Sequence, residues 1–355
     1  MLRRIEKLRK WLNENHCDAF FLNTVEDYRY FSGFTGSNCY LFVSKKDAIL
    51  VTDQRYSQQI QEETEGYKIY IHEINPFTTL EKVMKFLEVS SIAYDGKKTS
   101  VSLLKTLRNL NDKVDWVYTE DVSLGIRQYK EPSEEAAIQR AAEIGDLAFK
   151  DLCQKIKPGM TEKQIAVELE YLLAKHGSEG PTFGTIVAAG DRSALPHATP
   201  TSRVVKENDM LLIDFGARFE GYMSDMTRTL WIGEPNVRMQ EIYMVVLEAL
   251  EKAIVAVSPG VTCHELDNVA RKVFIEANLE EYSLRGLGHG VGLEIHEWPR
   301  VVMQQDTPIQ KGHIFTIEPG LYIPELGGVR IEELVSVTKS GCKLLTGTPR
   351  TIRLT

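Results

Sequence analysis

Apolar residues in the first third of the chain switch repeatedly between two spacings. Ile5, Leu8 and Leu12 fall on one helical face, which predicts an amphipathic helix at the start. Short apolar runs at 18–23 (DAFFLN), 39–44 (CYLFVS), 48–52 (AILVT), 67–71 (YKIYI) and 91–95 (SIAYD) then predict strands. Helical spacing returns at Leu80, Val83, Met84 and Leu87, and again at Leu103, Leu104 and Leu107. The alternation predicts an α/β domain with a mixed sheet. Its segments FSGFTGSN and VTDQRY are candidates for substrate contact, although turn chemistry explains Gly33 and Gly36 equally well. A polar connector from Arg127 to Pro132 follows, and Pro132 with Ser133, Glu134 and Glu135 opens a helix with acids in its first turn. The expected division is a domain over 1–126 and a second over 127–355.

The second domain repeats itself. KPGMTEKQIA at 157–166 matches SPGVTCHELD at 258–267, an offset of 101 residues. Each copy has a Pro-Gly turn and then a capping box, Thr161 with Gln164 and Thr262 with Glu265. Each is preceded by a long amphipathic helix (about 133–156 and 237–257) and contains another (about 161–175 and 262–277). A histidine follows, His197 or His296, and then an apolar strand ending in an acid and a glycine: LLIDFG at 211–216, FTIEPG at 315–320. A second acid comes on the returning strand, Asp225 or Glu332. The shared order of turn, cap, histidine and two acids marks an internal duplication. Two half-domains of helices and antiparallel strands are therefore expected to face each other around one site.

Asp214, Asp225, His289, Glu318 and Glu332 are the candidate chemistry of that site. Carboxylates in apolar strands are costly to bury without a compensating partner. Antiparallel strands joined through ARFEGYM and YIPELGG bring each acid pair together. Four crowded acids repel one another unless cations intervene. An oxygen-rich set with imidazole suits manganese, iron(II), cobalt or zinc, and manganese is the expected metal. Two such ions would activate water and polarise a carbonyl, which is hydrolase chemistry. His197 and His296, placed symmetrically beside the acids, are expected to face the substrate. His16, His72, His176, His264 and His313 lack comparable surroundings and are assigned to surfaces or caps. Phe183, Trp298 and Tyr322 are aromatic candidates near the motifs, with core packing as the ordinary alternative.

Composition narrows the partners. With 43% hydrophobic and 26% charged residues the chain reads as an ordinary globular protein. A formal charge of -8 without a basic block argues against nucleic acid. Five scattered cysteines without a C-x-x-C pair fit reduced thiols, not a disulfide frame. The basic N-terminus lacks a signal-peptide core and no apolar run spans a membrane, so a cytoplasmic protein without membrane association is expected.

The segments LPHA, IDFG, SDMTRT, GHGVGLEIHE, IEPGLYI and GVRIEE resemble the pita-bread metallopeptidases, specifically their proline-directed branch of Xaa-Pro aminopeptidases and Xaa-Pro dipeptidases (prolidases). RYFSGFTGSN and TDQRY resemble the creatinase-type N-terminal domain more loosely. The resemblance implies an α+β pita-bread catalytic domain with a pseudo-twofold repeat behind a smaller α/β domain. It implies that Asp214 chelates one metal, His289 and Glu318 the other, and that Asp225 and Glu332 bridge both. Glu318 would also act as general base, with His197, His296, Arg330 and Tyr322 binding substrate or ordering the site. Many relatives carry a second histidine four residues before the ligating one, whereas this chain has Arg285. Such an arginine would grip a substrate carboxylate or point to solvent. Implied substrates are proline-containing peptides, with an aminopeptidase as the first reading and a dipeptidase as the alternative. A methionine aminopeptidase would share the five ligands but not ordinarily this N-terminal domain or the VRIEE arginine, and a metal-free pita-bread protein, such as a creatinase-like amidinohydrolase or a binding module, should lack several ligands, whereas all five positions are filled here; both rank lower. A homodimer is implied as well.

Overall fold

Why the chain reads so clearly in its first part is visible in the burial of its strands. The structure, a computed structural model, describes residues 2–234 and 236–354, which form two compact units, Met1–Arg127 and Gln128–Thr355. In the first unit the elements run α1 (Leu2–Glu14), β1 (Ala19–Leu22), α2 (Val25–Ser32), β2 (Tyr40–Ser44), β3 (Ala48–Asp53), α3 (Gln59–Glu63), β4 (Lys68–His72), α4 (Pro76–Leu87), β5 (Ser91–Asp95), α5 (Val101–Leu110), β6 (Asp115–Thr119) and α6 (Val122–Arg127). They build a six-stranded sheet in the order β4-β3-β2-β1-β5-β6. β1–β2 and β2–β3 are antiparallel and the remaining pairs parallel, so the sheet is mixed as expected. Central β1 and β3 are buried along their whole length, which is why they read as unbroken apolar runs. β6 was not foreseen: as an edge strand, with Asp115 and Tyr118 exposed, it carries too few apolar residues to announce itself. Gly33 caps α2 in the left-handed region with its N–H on Arg29 O at 2.8 Å, so local turn chemistry accounts for it.

The second unit continues with α7 (Pro132–Cys153), α8 (Glu162–Lys175), β7 (Ile186–Ala189), β8 (Met210–Phe215), β9 (Arg218–Phe219), β10 (Tyr222–Met223), β11 (Met226–Ile232), α9 (Val237–Ala256), α10 (Cys263–Glu276), β12 (Gly288–Gly290), β13 (Glu297–Val301), β14 (Ile314–Ile317), β15 (Gly320–Ile323), β16 (Gly327–Arg330), β17 (Glu333–Val337), β18 (Cys342–Leu344) and β19 (Arg353–Leu354). Pro132 is the first helical residue of α7, behind a capping box of Glu131 with Glu134. Each half has two helices covering one sheet, β19-β11-β8-β7 in the first and β13-β12-β14-β17-β18 in the second. Each encloses its own core: Phe149 of α7 stacks on Phe215 of β8, while α9 and α10 bury Val246, Leu250 and Leu266 beside Phe315 and Val335.

The duplication extends to individual hydrogen bonds. Gly159 N–H donates to Val205 O and Val205 N–H to Met160 O; Gly260 N–H donates to Ile309 O and Ile309 N–H to Val261 O. Both glycines take positive φ, +95° and +100°, which the Pro-Gly turn requires. Both capping boxes are complete, each joining threonine hydroxyl to the third amide and Gln164 or Glu265 back to the cap N–H. Such caps contribute about 1 kcal/mol per helix end. Finally, β19 runs back to pair in parallel with β11, so the tail of the second half completes the sheet of the first.

Candidate metal centre

β8 and β11 pair so that Asp214 faces Thr227, and Asp225 stands one residue before β11 begins. In the second half β14 pairs with β17 through Ile317 and Glu333, leaving Glu318 and Glu332 next to that pair. The chain between each acid pair leaves the sheet as a small hairpin, β9–β10 or β15–β16. Two equivalent strand pairs thus deliver four carboxylates to one place. His289 arrives from β12, between Gly288 and Gly290. A Cβ on Gly288 would lie 1.9 Å from Thr316 O, and one on Gly290 would lie 2.2 Å from Trp298 O. Only glycine lets the histidine strand approach its neighbours this closely.

The side chains converge. His289 Nε2 lies 3.3 Å from Glu318 Oε1 and 3.6 Å from Asp225 Oδ2. Its Nδ1 faces the Gly290 carbonyl at 3.1 Å, so that nitrogen carries the proton and Nε2 keeps a lone pair for ligation. Ligand atoms of Asp225, His289 and Glu332 lie within 4.8 Å of one another. Asp214 Oδ1, Asp225 Oδ1 and Glu332 Oε1 are buried without a hydrogen-bond partner among the described residues. Buried, unsatisfied carboxylate oxygens on residues that line one cavity are what a cation would satisfy, and the oxygen-and-imidazole donor set fits divalent metal ions.

Electrostatics agree. Burial raises the Asp225 and Glu332 carboxyls well above the ordinary range, and repulsion from the other acids adds to it, first Glu332 for Asp225 and Glu318 for Glu332. Burial raises Glu318 as well, with Asp214 adding to the rise and Arg330 opposing it. Burial lowers His289 and His296, and the His289 ring, edge-on to His296 at 4.3 Å between centroids, further lowers His296.

A cavity of about 550 Å³ opens over this cluster. His197, in a turn after the short helix Gly190–Ala194, and His296, just before β13, both line it, as do Tyr322, Arg330 and Phe183. Trp298 is not on its wall among the described residues, so that aromatic candidate has no place at the site. Arg330 donates to Asp214 Oδ2 at 2.6 Å, Tyr322 Oη at 2.6 Å and Thr227 Oγ1 at 3.0 Å. Burial acts against the Arg330 charge, but Tyr322, Asp214 and Glu318 outweigh it and raise its pKa. Arg285 and Arg300 line the same cavity.

Three contributors went unread in the sequence. Thr227 donates to Glu332 Oε2 at 2.7 Å, and Thr316 donates to Glu318 Oε1 at 2.9 Å while accepting the His289 N–H. Arg228, fully buried, binds Glu332 O and Glu333 Oε1 and also the carbonyls of Thr348 and Pro349, fastening the returning tail behind the acids. Their nearness to the acids was the available signal: Thr227 and Arg228 follow Asp225 by two and three residues, and Thr316 precedes Glu318 by two. Two histidines assigned to surfaces or caps are buried instead: His72 ends β4, and His313 packs at 4.9 Å on the Tyr129 ring with Nδ1 accepting from Gln310 N–H.

Residues 136–339 match the model of metallopeptidase family M24, and residues 4–129 match the creatinase/prolidase N-terminal domain. An Xaa-Pro dipeptidase of Pyrococcus furiosus is 38% identical over 351 residues, covering 99% of each chain. Among solved structures, an Xaa-Pro dipeptidase from Bacillus anthracis superposes with a TM-score of 0.97 at 35% identity, covering 99% of both chains. An X-Pro aminopeptidase from Thermotoga maritima MSB8 reaches 0.91 at 38% identity, over 96% of this chain and 98% of that one. The convergent acids, the duplicated pita-bread halves and these matches lead to one assignment: the chain belongs to metallopeptidase family M24.

Proposed function

We propose that the protein is an Xaa-Pro dipeptidase that hydrolyses the bond between any residue and a following proline. The carrying observation is that four carboxylates and His289 line one cavity, with Asp225, His289 and Glu332 close enough to share an ion, in a chain whose full-length relatives include Xaa-Pro dipeptidases. Those names favour the dipeptidase over the aminopeptidase that stands first in the sequence reading. The cavity agrees: Arg285 and Arg300 on its wall have no protein acceptor among the described residues, and a dipeptide carries a free carboxylate to meet them.

Asp214, Asp225, His289, Glu318 and Glu332 would hold two divalent ions, with manganese our proposed metal. Such ions supply a water acidified toward neutral pH and Lewis-acid polarisation of the scissile carbonyl. Glu318, partly open to the cavity, takes the proton of the attacking water and passes it to the leaving proline nitrogen. His197 and His296 present N–H groups to the substrate and to the oxyanion that develops on it; a single such donor contributes about 10²–10³ in rate. Arg330 anchors the Asp214 carboxylate and the Tyr322 hydroxyl, keeping both oriented. Residues 1–126 form the N-terminal domain and 127–355 the catalytic domain in this proposal. We further propose a cytoplasmic homodimer; among the described residues no helix is long and apolar enough to cross a membrane.

Hydrolysis of Ala-Pro against Ala-Pro-Ala by manganese-loaded protein tests the reading. The dipeptide is expected to be cleaved far faster. Comparable kcat/KM on the tripeptide restores the aminopeptidase, and full turnover after verified metal removal overturns the metal mechanism.

A further inference from the structure

A buried ion pair stands directly behind His296, at the first residue of β13. Lys130 Nζ lies 2.7 Å from Glu297 Oε2, and each side chain is only 1% exposed. Lysine is almost never buried so completely unless paired. Lys130 belongs to the polar connector before α7, and its own N–H donates to Gly312 O at 2.8 Å, so the backbone beneath the ammonium is fixed too.

The other Glu297 oxygen ties down the chain that leads to His296. Glu297 Oε1 accepts the Glu294 N–H at 3.1 Å. Gly292 N–H closes a turn on Glu294 O at 3.0 Å, and Gly292 leaves room for the carboxylate, since a Cβ there would lie 2.4 Å from Glu297 Oε2. Backbone bonds hold the start of this segment, Val291 N–H on Ile314 O at 3.2 Å and Met223 N–H on Gly292 O at 2.8 Å, and leave its approach to His296 to the Glu297 carboxylate. Along β12 and β13, His289 opposes Arg300 while Gly290 opposes Glu297, so Trp298 and Pro299 bulge from the ladder. Consecutive residues point to opposite sides: His296 lines the cavity and Glu297 turns from it toward Lys130.

We infer that Lys130 and Glu297 are positioning residues, an anchor that fixes the 291–297 segment and thereby aims His296 at the substrate. Buried ion pairs are poor sources of net stability but can specify a single geometry. Here that geometry is the placement of one imidazole against the His289 ring. The inference rests on the proposed substrate-facing role of His296.

The test is a double-mutant cycle on manganese-loaded protein, following kcat and KM for Ala-Pro together with bound metal. Lys130→Met in the wild-type background is expected to lower kcat about tenfold or more while both metals stay bound, as misplacing a catalytic group does. In the His296→Ala background the same change is expected to cost less than about twofold, because no imidazole remains to be aimed. An equal loss of kcat in both backgrounds overturns the positioning role while leaving His296 in place. If His296→Ala alone leaves kcat unchanged, the role of His296 falls and the inference with it. Should Lys130→Met fail to fold, Glu297→Gln enters the same cycle with the same expectations; it keeps the size of the side chain and an acceptor for Glu294.

Discussion

Removing the metal should make the stability of the catalytic unit fall as pH rises, and the acids of the site give the sign. Asp225, Glu318 and Glu332 are raised above their ordinary values by burial and by each other's charge. The folded metal-free chain therefore holds protons that the unfolded chain releases near pH 4. Their contribution is fully present below that pH and is lost as pH climbs through the raised folded-state values. Each proton retained only by the folded state changes stability by about 1.4 kcal/mol per pH unit, so three groups set a ceiling of about 4 kcal/mol per unit. The buried imidazoles act oppositely: His289 and His296 are lowered by burial, so their contribution is lost as pH falls. A reference that keeps them is Asp225→Asn/Glu332→Gln. Thermal unfolding of chelator-treated protein between pH 5 and 8 should show the wild type losing stability relative to this variant. One kcal/mol corresponds to about 2–4 °C for a unit of this size, so the gap should widen by several degrees. Saturating manganese should remove the wild-type trend. Parallel curves for wild type and variant without metal would refute the account of crowded, proton-holding acids.

Glu318→Gln should reduce Ala-Pro turnover by about 10³ or more, since the amide cannot accept the proton of the attacking water; near-wild-type kcat would remove Glu318 as the base. Gly288→Ala should prevent the histidine strand from docking, because its Cβ would meet Thr316 O at 1.9 Å; wild-type metal content and melting temperature in that variant would show that the approach is not required.

Much of this molecule is written in local chemistry. The Pro-Gly turns and capping boxes around Thr161 and Thr262 are contiguous in sequence, so the duplication and its helices could be read to within a few residues. The carboxylates stood out because Asp214 and Glu318 close apolar strands, where charge is costly. What escaped the sequence is defined by partners far along the chain. Thr227 and Arg228 look like ordinary alternation in an antiparallel strand, and only pairing with residues 332, 333, 348 and 349 gives them their work. Lys130 in a polar connector has every sign of a solvated cation, yet its acceptor lies 167 residues away. Strand β13 is broken by its bulge, so no period of two survives there.

The return of β19 to β11 has a consequence for how this molecule can come apart. Because the last strand is stitched into the opposite half, and Arg228 grips the stretch before it, the halves are not free lobes that hinge open around the proposed metal site. They are buckled together like a belt passed through its own loop. Shortening the tail by a dozen residues would loosen the cage from behind without touching a single ligand.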